Sequence, residues 1–211
     1  MTDVWSDRAE AYRQSPTHRE GPDLDAIVEW SADLATALDV ATGGGHVARR
    51  LREAGLDVTT VDPAAGMEPD VVAPAERLPF EDKSFDLVVS RLAAHHFSDV
   101  RAAMRELARV ASCAVIVVDN TFGGAALEDA EHIRDSSHVR CLPAEEWRSL
   151  FEEVGLGIDD VRFLPQRVEL EPWLERAGCA GEAAARVREL VADRTEDGWV
   201  TLDRMALKGI K

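Results

Sequence analysis

The chain contains 211 residues with a formal net charge of −16, and 45% of its residues are hydrophobic and 30% charged. A chain of this length and composition is expected to fold around a buried core. The excess negative charge disfavours nucleic acids and anionic lipid surfaces as partners. The sequence contains no run of about 18 apolar residues, which membrane insertion as a helix would require. The first residues lack the pattern of a signal peptide. We therefore expect a cytoplasmic protein.

Cysteine and histidine are arranged without a recognisable ligand pattern. The three cysteines, Cys113, Cys141 and Cys179, lie far apart and are odd in number, which does not predict a disulfide framework. The six histidines form no HExxH motif and have no cysteine partners at zinc-binding spacing. The sequence therefore predicts no metal site.

The N-terminal part of the chain is predicted to be helical. A first helix begins at Asp3 or Ser6 and ends at Gln14, and a second begins at Asp23. Beyond it, short apolar runs alternate with amphipathic segments. The runs predict strands at residues 37–41, 58–61, 70–73, 85–90 and 113–118, with helices at residues 46–54 and 100–110. This alternation indicates a parallel sheet with helices on both faces.

The pattern changes after Asp119. A loop or short helix is predicted at residues 121–129, and an amphipathic helix at residues 143–154. The remaining segments predict a strand at residues 161–168, a helix at residues 181–193 and a closing strand at residues 199–208. We expect an α/β fold with a Rossmann-like, mostly parallel sheet, helices on both faces and an antiparallel last strand.

A glycine-rich turn follows the first predicted strand, in the sequence LDVATGGGHVA of residues 38–48. Glycine permits a tight turn and lets a ligand approach the main chain, and amides at the next helix start can hold an anionic group. Asp62 ends the following strand, where its carboxylate can accept hydrogen bonds from two ribose hydroxyls. The same spacing is typical of nicotinamide-dependent dehydrogenases, and a β–α turn without a ligand also shares it.

Asp39 and the downstream segments separate these alternatives. Asp39 lies four residues before Gly43, where its carboxylate can face the ammonium group of a methionine moiety but would repel a pyrophosphate. The segment AERLPF at residues 75–80 and the segment SFDLVVS at residues 84–90 differ from those of a dehydrogenase and favour a methyltransferase.

With these segments the chain resembles the class I S-adenosylmethionine-dependent methyltransferases, in the group related to ubiquinone and menaquinone C-methyltransferases (methyltransferase type 11). The resemblance extends over nearly the whole chain. Its motifs are Ala11-Tyr12 with Ser15 and His18, DVATGGGHVA, AERLPF, RLAAHHF at residues 91–97, VDN at residues 118–120, RDSSH at residues 134–138, and the segment from Trp147 to Gly155. It implies one domain over residues 1–211, with a helical lid (1–34), a cofactor-binding core (35–120) and a substrate-side, C-terminal part (121–211).

The same resemblance implies which residues contact S-adenosylmethionine. The turn at residues 41–45 would line its methionine end, Asp62 would hold the ribose, and residues 75–76 would lie along the adenine. Arg91 and Leu92 would lie beneath the cofactor, and an N-terminal lid would cover it. The implied cofactor-binding residues are Tyr12, His18, Asp39, Ala41, Gly43, Gly45, Asp62, Pro63, Ala75, Glu76, Arg91 and Leu92.

Two features depart from the family pattern. Only residues 63–69 separate Asp62 from the next strand, too few for the usual crossover helix, so we expect the helix to be absent and the strand to lie at a sheet edge. The exposed sheet face is then expected to be covered by the N-terminal helices or by a partner subunit in a homodimer. Pro74 occupies the position before Ala75 where the family commonly has an aspartate for the adenine amino group.

The chemistry of the expected reaction requires few side chains. A sulfonium methyl group is already activated, so the protein must align the acceptor and exclude water. Where a base is needed, His95 and His96 are the candidates, and one of the two is expected to pack beneath the fold. His138 and Arg140 are the candidates for binding a polar or anionic acceptor, with a surface role as the alternative.

The sequence therefore predicts methyl transfer from S-adenosylmethionine to a small-molecule acceptor at carbon, oxygen or nitrogen, by in-line displacement. One alternative is a non-catalytic protein that binds an adenosyl ligand with the same fold, and another is an NAD-dependent oxidoreductase. No nucleic acid partner and no membrane insertion are expected.

Overall fold

Ten β-strands form two sheets in the part of the chain that the structure describes. The structure is a computed structural model that describes residues 4–211, with the side chains of residues 4, 7, 8, 11, 16 and 17 outside the description. In chain order the strands are β1 (Thr36–Val40), β2 (Asp57–Asp62), β3 (Val71–Val72), β4 (Phe85–Arg91), β5 (Ala111–Asn120), β6 (Gly157–Phe163), β7 (Gln166–Glu169), β8 (Thr195–Glu196), β9 (Trp199–Leu202) and β10 (Arg204–Ile210).

Helices occupy most of the segments between these strands. Asp3, one of the two predicted starts of the first helix, lies outside the described residues. The helices are α1 (Val4–Gln14), α2 (Pro16–Arg19), α3 (Pro22–Trp30), α4 (His46–Glu53), α5 (Val100–Val110), α6 (Ala125–Arg134), α7 (Ala144–Glu153), α8 (Leu170–Arg176) and α9 (Gly181–Leu190). At the start of α5, the Asp99 carboxylate accepts a hydrogen bond from the amide of Ala102 at 2.9 Å, a cap that the sequence permits.

The larger sheet has seven strands in the spatial order β3-β2-β1-β4-β5-β10-β6. Neighbours from β3 to β5 are parallel, whereas β10 is antiparallel to both β5 and β6. The predicted Rossmann-like, mostly parallel sheet with an antiparallel last strand is therefore confirmed.

Helices cover both faces of this sheet, as the alternation of side chains along the strands requires. On β1, Leu38 and Val40 face a core that includes α5 and α7. Ala37, from the same strand, contributes to the opposite core, which includes α3 and α4. Strand β5 is apolar in both directions because its alternate residues enter both cores.

The C-terminal part differs from the prediction in several places. The expected strand at residues 161–168 is two strands, since Leu164 and Pro165 interrupt it and β7 joins a second sheet of order β7-β9-β8. The expected closing strand divides in the same way at Asp203 into β9 and β10. Helix α6 begins within the predicted 121–129 segment but continues to Arg134. Helix α8 was not predicted. These helices, α9 and the small sheet share a separate apolar core.

The connection from β2 to β3 is short, as the sequence predicts. Residues 63–69, all described, hold one 3₁₀ turn at Ala65–Met67 in place of the crossover helix. The two-residue strand β3 pairs with β2 at the edge of the sheet. The absent helix and the edge position are both confirmed.

Helix α1 covers this 3₁₀ turn. The amide of Gly66 donates to Ser6 Oγ at 2.9 Å, and Arg13 donates to the Gly66 carbonyl at 3.0 Å. Ala9 packs with Ala64 and Met67 in a small buried cluster. Of the two predicted covers, the N-terminal helix fills this role for residues 64–67, and the homodimer stays a prediction.

None of the helices within residues 4–211 is both long and apolar enough to cross a membrane.

The close contact at Gly66 gives a test of this packing. A Cβ atom at Gly66 would lie 2.5 Å from Ser6 Cβ and 2.7 Å from Ser6 Cα, so we expect Gly66→Ala to displace α1 at a cost of about 1–3 kcal/mol. Hydrogen exchange of the α1 amides should then become faster. Gly157→Ala is the matched control, since its nearest neighbour would be 3.9 Å away. Unchanged α1 exchange in Gly66→Ala would contradict this packing.

Candidate functional site

A cavity of about 280 Å³ opens beside the carboxyl ends of β1, β2 and β4. The strand order reverses between β1 and β4, which is where parallel α/β sheets bind ligands. Of the twelve implied cofactor-binding residues, Gly45 lies outside the lining, at the N-cap of α4. The other eleven line this first cavity: Tyr12, His18, Asp39, Ala41, Gly43, Asp62, Pro63, Ala75, Glu76, Arg91 and Leu92.

The glycine turn between β1 and α4 is held open towards the cavity. Gly43 has φ +51° and Gly45 has φ +74°, a region that favours glycine. A Cβ atom at Gly43 would meet nothing within 4 Å, so the main chain there faces open space. The Gly43 amide donates to Asp62 Oδ2 at 2.9 Å, and the Ala64 amide donates to Asp62 Oδ1 at 2.9 Å. Asp62 thus fixes the turn, and a carboxylate oxygen can accept more than one hydrogen bond.

Asp39 lies beneath the same turn and is buried. Its Oδ2 accepts hydrogen bonds from Thr42 Oγ1 at 2.6 Å and from the Ala48 amide at 3.1 Å. Burial raises the pKa of Asp39 to about 6 against these hydrogen bonds, and the charge of Asp62 adds to the rise. A cation placed in the cavity would favour the ionised carboxylate.

Two non-glycine residues adopt left-handed backbone conformations at this site. Ala41 follows β1 with φ +56°, and Leu92 follows β4 with φ +54°. Each such conformation costs of order 1–3 kcal/mol and is retained where the surroundings enforce it. Both residues line the first cavity, so the strain is concentrated at the site. Neither residue type signals it in the sequence.

The N-terminal segment forms one wall of the cavity through Tyr12 and His18. His46 Nε2 donates to the Tyr12 carbonyl at 3.1 Å, which joins α1 to the glycine turn. Arg91 donates to the His18 carbonyl at 2.8 Å and to Asp23 Oδ2 at 2.7 Å. The predicted lid residues therefore lie against the predicted core residues.

The opposite end of the cavity is formed by residues 74–76. Glu76 Oε1 accepts hydrogen bonds from the Ser98 amide at 2.9 Å and the Ser98 hydroxyl at 2.8 Å. Its carboxylate therefore holds the loop before α5. Pro74 lines the cavity without a side-chain acceptor.

A second, smaller cavity of about 40 Å³ adjoins the first. Tyr12, His18, Leu92 and His96 line both cavities and form the wall between them. The further residues that line the second cavity are His95, Asn120, Arg134, Val168, Trp173, Arg176, Leu202 and Arg204.

His95 is paired with Asp119 at this second cavity. His95 Nδ1 lies 2.5 Å from Asp119 Oδ1, and the His95 amide donates to Asp119 Oδ2 at 2.8 Å. Burial alone would lower the pKa of His95, but the charge and hydrogen bond of Asp119 outweigh it and hold the pKa above 6.5. Nε2 has no hydrogen-bond partner among the described residues, so this nitrogen remains available to a ligand.

His96 has the opposite electrostatic environment. Burial and the charge of neighbouring His95 lower the pKa of His96 to about 3, and its Nδ1 donates to the Ser137 carbonyl at 3.0 Å. The two rings lie 4.1 Å apart. A 3₁₀ turn at Ala94–His96 carries both residues to the second cavity, where His95 is buried and His96 is half-buried. The expectation that one of them packs beneath the fold stays a prediction.

The structure does not bring His138 and Arg140 together. His138 is buried, and its Nε2 lies 3.0 Å from Glu128 Oε1, whereas Arg140 is half exposed and pairs with Glu146 at 2.7 Å. Neither residue lines the first or second cavity. Arg140 lines a further cavity of about 380 Å³ together with Glu128, and the role of this pair in binding an acceptor stays a prediction.

Glu128, His138 and Cys141 carry potential metal-ligating atoms within 4.8 Å of one another. The Glu128 carboxylate already accepts hydrogen bonds from His138 and from the Cys141 amide at 3.1 Å. Burial raises the pKa of the Cys141 thiol, which favours the protonated form that binds metals poorly. The expectation of no metal site stays a prediction.

Several buried charged residues at the second cavity were not assigned a role from the sequence. Asp23 was interpreted only as a helix start, and Asp119 only as part of a motif. The sequence does show that Arg91 and Arg204 lie at the ends of apolar strands. A buried arginine at such a position requires an anionic partner. The sequence does not identify that partner.

Comparisons with known proteins identify a family for this chain. A family model described as a methyltransferase domain matches residues 38–114. The uncharacterized methyltransferase YcgJ of Bacillus subtilis is 31% identical over 207 residues, covering 87% of this chain and 82% of that protein. The crystal structure of YcgJ from the same organism has a TM-score of 0.76 at 24% identity, covering 90% of this chain and 97% of that chain.

A second solved structure is similar over its whole length. The crystal structure of a Bacillus halodurans protein provisionally assigned as a methyltransferase has a TM-score of 0.80 at 25% identity. The match covers 90% of this chain and 99% of that one. The similarity therefore includes the C-terminal part, beyond the segment that the family model matches.

The His95–Asp119 pair can be tested by substitution. We expect Asp119→Asn to lower the pKa of His95 below 6.5, because burial remains while the ion pair is lost. Histidine side-chain NMR titration measures this pKa. Asp135→Asn is the control, because it removes a carboxylate beside His96, and the pKa of His95 should stay raised in this variant. A His95 pKa that is unchanged in Asp119→Asn would contradict the pairing.

Proposed function

Because the chain belongs to the class I S-adenosylmethionine-dependent methyltransferases, we propose that it methylates a small-molecule acceptor at carbon, oxygen or nitrogen by in-line displacement. The observation that carries this proposal is the placement of Asp39 and Asp62 on one cavity, with the Gly43 turn between them. S-adenosylmethionine would supply a methyl group activated by the sulfonium charge. Isothermal titration with S-adenosylhomocysteine and with NAD tests the assignment, and saturable binding of the first alone is expected.

The first cavity suits the charges and hydrogen-bonding groups of this cofactor. Asp39 would balance the ammonium of the methionine end, and Asp62 would accept from the ribose hydroxyls while it holds Gly43. Ala75 and Glu76 would lie along the adenine. Since Glu76 is engaged with Ser98 and Pro74 offers no acceptor, main-chain groups would recognise the adenine amino group.

The second cavity would receive the acceptor across the wall of Tyr12, His18, Leu92 and His96. His95 is the candidate general base there, since Asp119 holds Nδ1 and leaves Nε2 available. His95 takes up a proton only when its imidazole is neutral, above its raised pKa. His96 stays neutral because its pKa is low, and it would orient the acceptor by hydrogen bonding.

The non-catalytic alternative has one observation in its favour, the lack of a side-chain acceptor at Pro74. A protein of that kind would bind S-adenosylhomocysteine without methylating any acceptor. Family membership sets aside the NAD-dependent oxidoreductase.

The ribose assignment predicts a loss of affinity in Asp62→Asn. Two charge-assisted hydrogen bonds would be weakened, so we expect the Kd for S-adenosylhomocysteine to rise about 10–100-fold. Calorimetric titration measures it. Asp57→Asn, at the exposed opposite end of β2, is the control and should leave Kd unchanged. A change of less than about twofold in Asp62→Asn would place the ribose elsewhere.

The raised pKa of Asp39 predicts that cofactor affinity depends on pH. Only the ionised carboxylate attracts the ammonium group, so binding must release a proton below about pH 6. The Kd for S-adenosylhomocysteine should be constant above about pH 7 and rise up to about tenfold per unit below pH 6.

Two controls isolate the contribution of Asp39. Adenosine lacks the ammonium group, so its Kd should not show this dependence. Asp39→Asn should abolish the dependence for S-adenosylhomocysteine. An identical pH profile in the variant and the wild type would show that another group is responsible.

A further inference from the structure

The second cavity is unusually cationic for an acidic chain. Arg134 from α6, Arg176 from α8 and Arg204 from β10 all line it, in a protein with a net charge of −16. Arg91 lies directly behind, bonded to the same Asp23 carboxylate as Arg204. Segments far apart in sequence therefore place four guanidinium groups around one small space.

Fewer carboxylates than guanidinium groups surround this space. Glu131 pairs with Arg134 at 2.7 Å, and Asp23 is shared by Arg91 at 2.7 Å and Arg204 at 3.2 Å. Among the described residues no carboxylate lies within ion-pair distance of Arg176, which donates to Ser15 Oγ at 3.2 Å.

The His95–Asp119 pair sets the remaining charge at the cavity. The charges of His95 and Asp119 cancel when the imidazole is protonated, and the pair carries one negative charge when the imidazole is neutral. The buried carboxylate of Asp135 also acts on Arg134, so four guanidinium groups face three carboxylates. One positive charge therefore remains when His95 is protonated and none when it is neutral, and in both states Arg176 has no described carboxylate within ion-pair distance.

The hydrogen-bond donors are also incompletely used. The Arg204 side chain is 2% exposed, yet its Nε–H has no partner among the described residues. A buried donor without a partner destabilises the fold, and more so when it is charged. Asn120 presents its carboxamide beside Arg204, since the two residues are paired in register between β5 and β10. Its Oδ1 is buried without a partner, so Asn120 would donate to an anion only with the positions of Oδ1 and Nδ2 exchanged.

The ionisation of nearby groups reflects the same excess of cations. Burial, followed by the neighbouring charge of Arg91, lowers the pKa of Arg204 to about 10. Burial also lowers the pKa of His18 well below 6.5, and the charges of Arg176, Arg91 and Arg204 lower it further. A bound anion would relieve both effects.

The size of the cavity limits what it can hold. Its volume of about 40 Å³ accommodates a group of only a few atoms. A carboxylate has two oxygens that accept from guanidinium donors in one plane. The body of a larger molecule would extend towards the first cavity, past Leu92 and His96.

We propose that the methyl acceptor is a small organic acid whose carboxylate is bound in the second cavity by Arg176 and Arg204. This assignment rests on the proposed methyl transfer for the identity of the ligand as the acceptor. The anion site itself stands on the charges and the unpartnered donor described above.

The anion site can be tested without knowledge of the acceptor. Sodium acetate is titrated into the protein, alone and saturated with S-adenosylhomocysteine, at an ionic strength held constant with sodium chloride. The ring signals of His18 in NMR spectra report binding, because His18 lies on the wall of the cavity. Saturable shifts are expected, and their absence in both states would overturn the site.

Variants of Arg176 locate the bound anion. Arg176→Gln should weaken acetate binding about tenfold or more, whereas Arg176→Lys should restore part of it. Arg105→Gln is the matched control, because it removes the same charge from an exposed position of α5. Equal acetate affinity in Arg176→Gln and Arg105→Gln would overturn the assignment. Tighter binding of inorganic phosphate than of acetate would overturn the choice of a carboxylate.

A labelling experiment tests the link to the acceptor. The protein is incubated with a small-molecule extract and S-adenosylmethionine that carries a deuterated methyl group. A labelled product with a free carboxylate supports the proposal, and Arg176→Gln should raise KM for it more than it lowers kcat. A labelled product without a carboxylate overturns it. Failure to bind S-adenosylhomocysteine would overturn the proposed function, while the acetate titration would still decide the anion site.

Discussion

The buried carboxylate of Asp23 is the point on which the arrangement of the site depends. It lies in the first turn of α3 and accepts hydrogen bonds from Arg91 at the end of β4 and Arg204 at the start of β10. Removing Asp23 from this cluster would leave two buried guanidinium groups without their shared carboxylate. Because Arg91 also donates to the His18 carbonyl, the same cluster fixes the N-terminal segment over the carboxyl edge of the sheet. The wall between the two cavities follows from this attachment.

The two cavities differ in charge, and under the proposed function this difference would place the cofactor in the first and an anionic acceptor in the second. Asp39 and Asp62 line the first, which suits a ligand with cationic groups. Arginines dominate the second, which suits an anion. In such an arrangement a cofactor and an acceptor of opposite charge are sorted by electrostatics as well as by shape. The overall negative charge of the chain makes the local arginines necessary for attracting an anionic ligand at all.

Most of the sheet could be predicted, and eleven of the twelve implied cofactor-binding residues line one cavity, because these features depend on short stretches of chain. The glycine turn, Asp39 and Asp62 belong to consecutive elements, and the apolar runs of β1, β4 and β5 are long enough to show periodicity. The small sheet was missed because interruptions such as Pro165 and Asp203 occupy only one or two residues. Asp23 and Arg204 are 181 residues apart, and no local pattern connects them. The strain at Ala41 and Leu92 arises from the assembled fold.

Helix α1 serves two purposes in this fold. It lies over Ala64 and Met67, where the crossover helix is absent, and it also supplies Tyr12 to the wall of both cavities. Any movement of α1 that opens the wall must therefore expose apolar surface at residues 64–67, at a free-energy cost proportional to the area uncovered. That cost adds to the barrier for opening, so the residence time of an enclosed ligand is set partly by the packing of a helix against a loop.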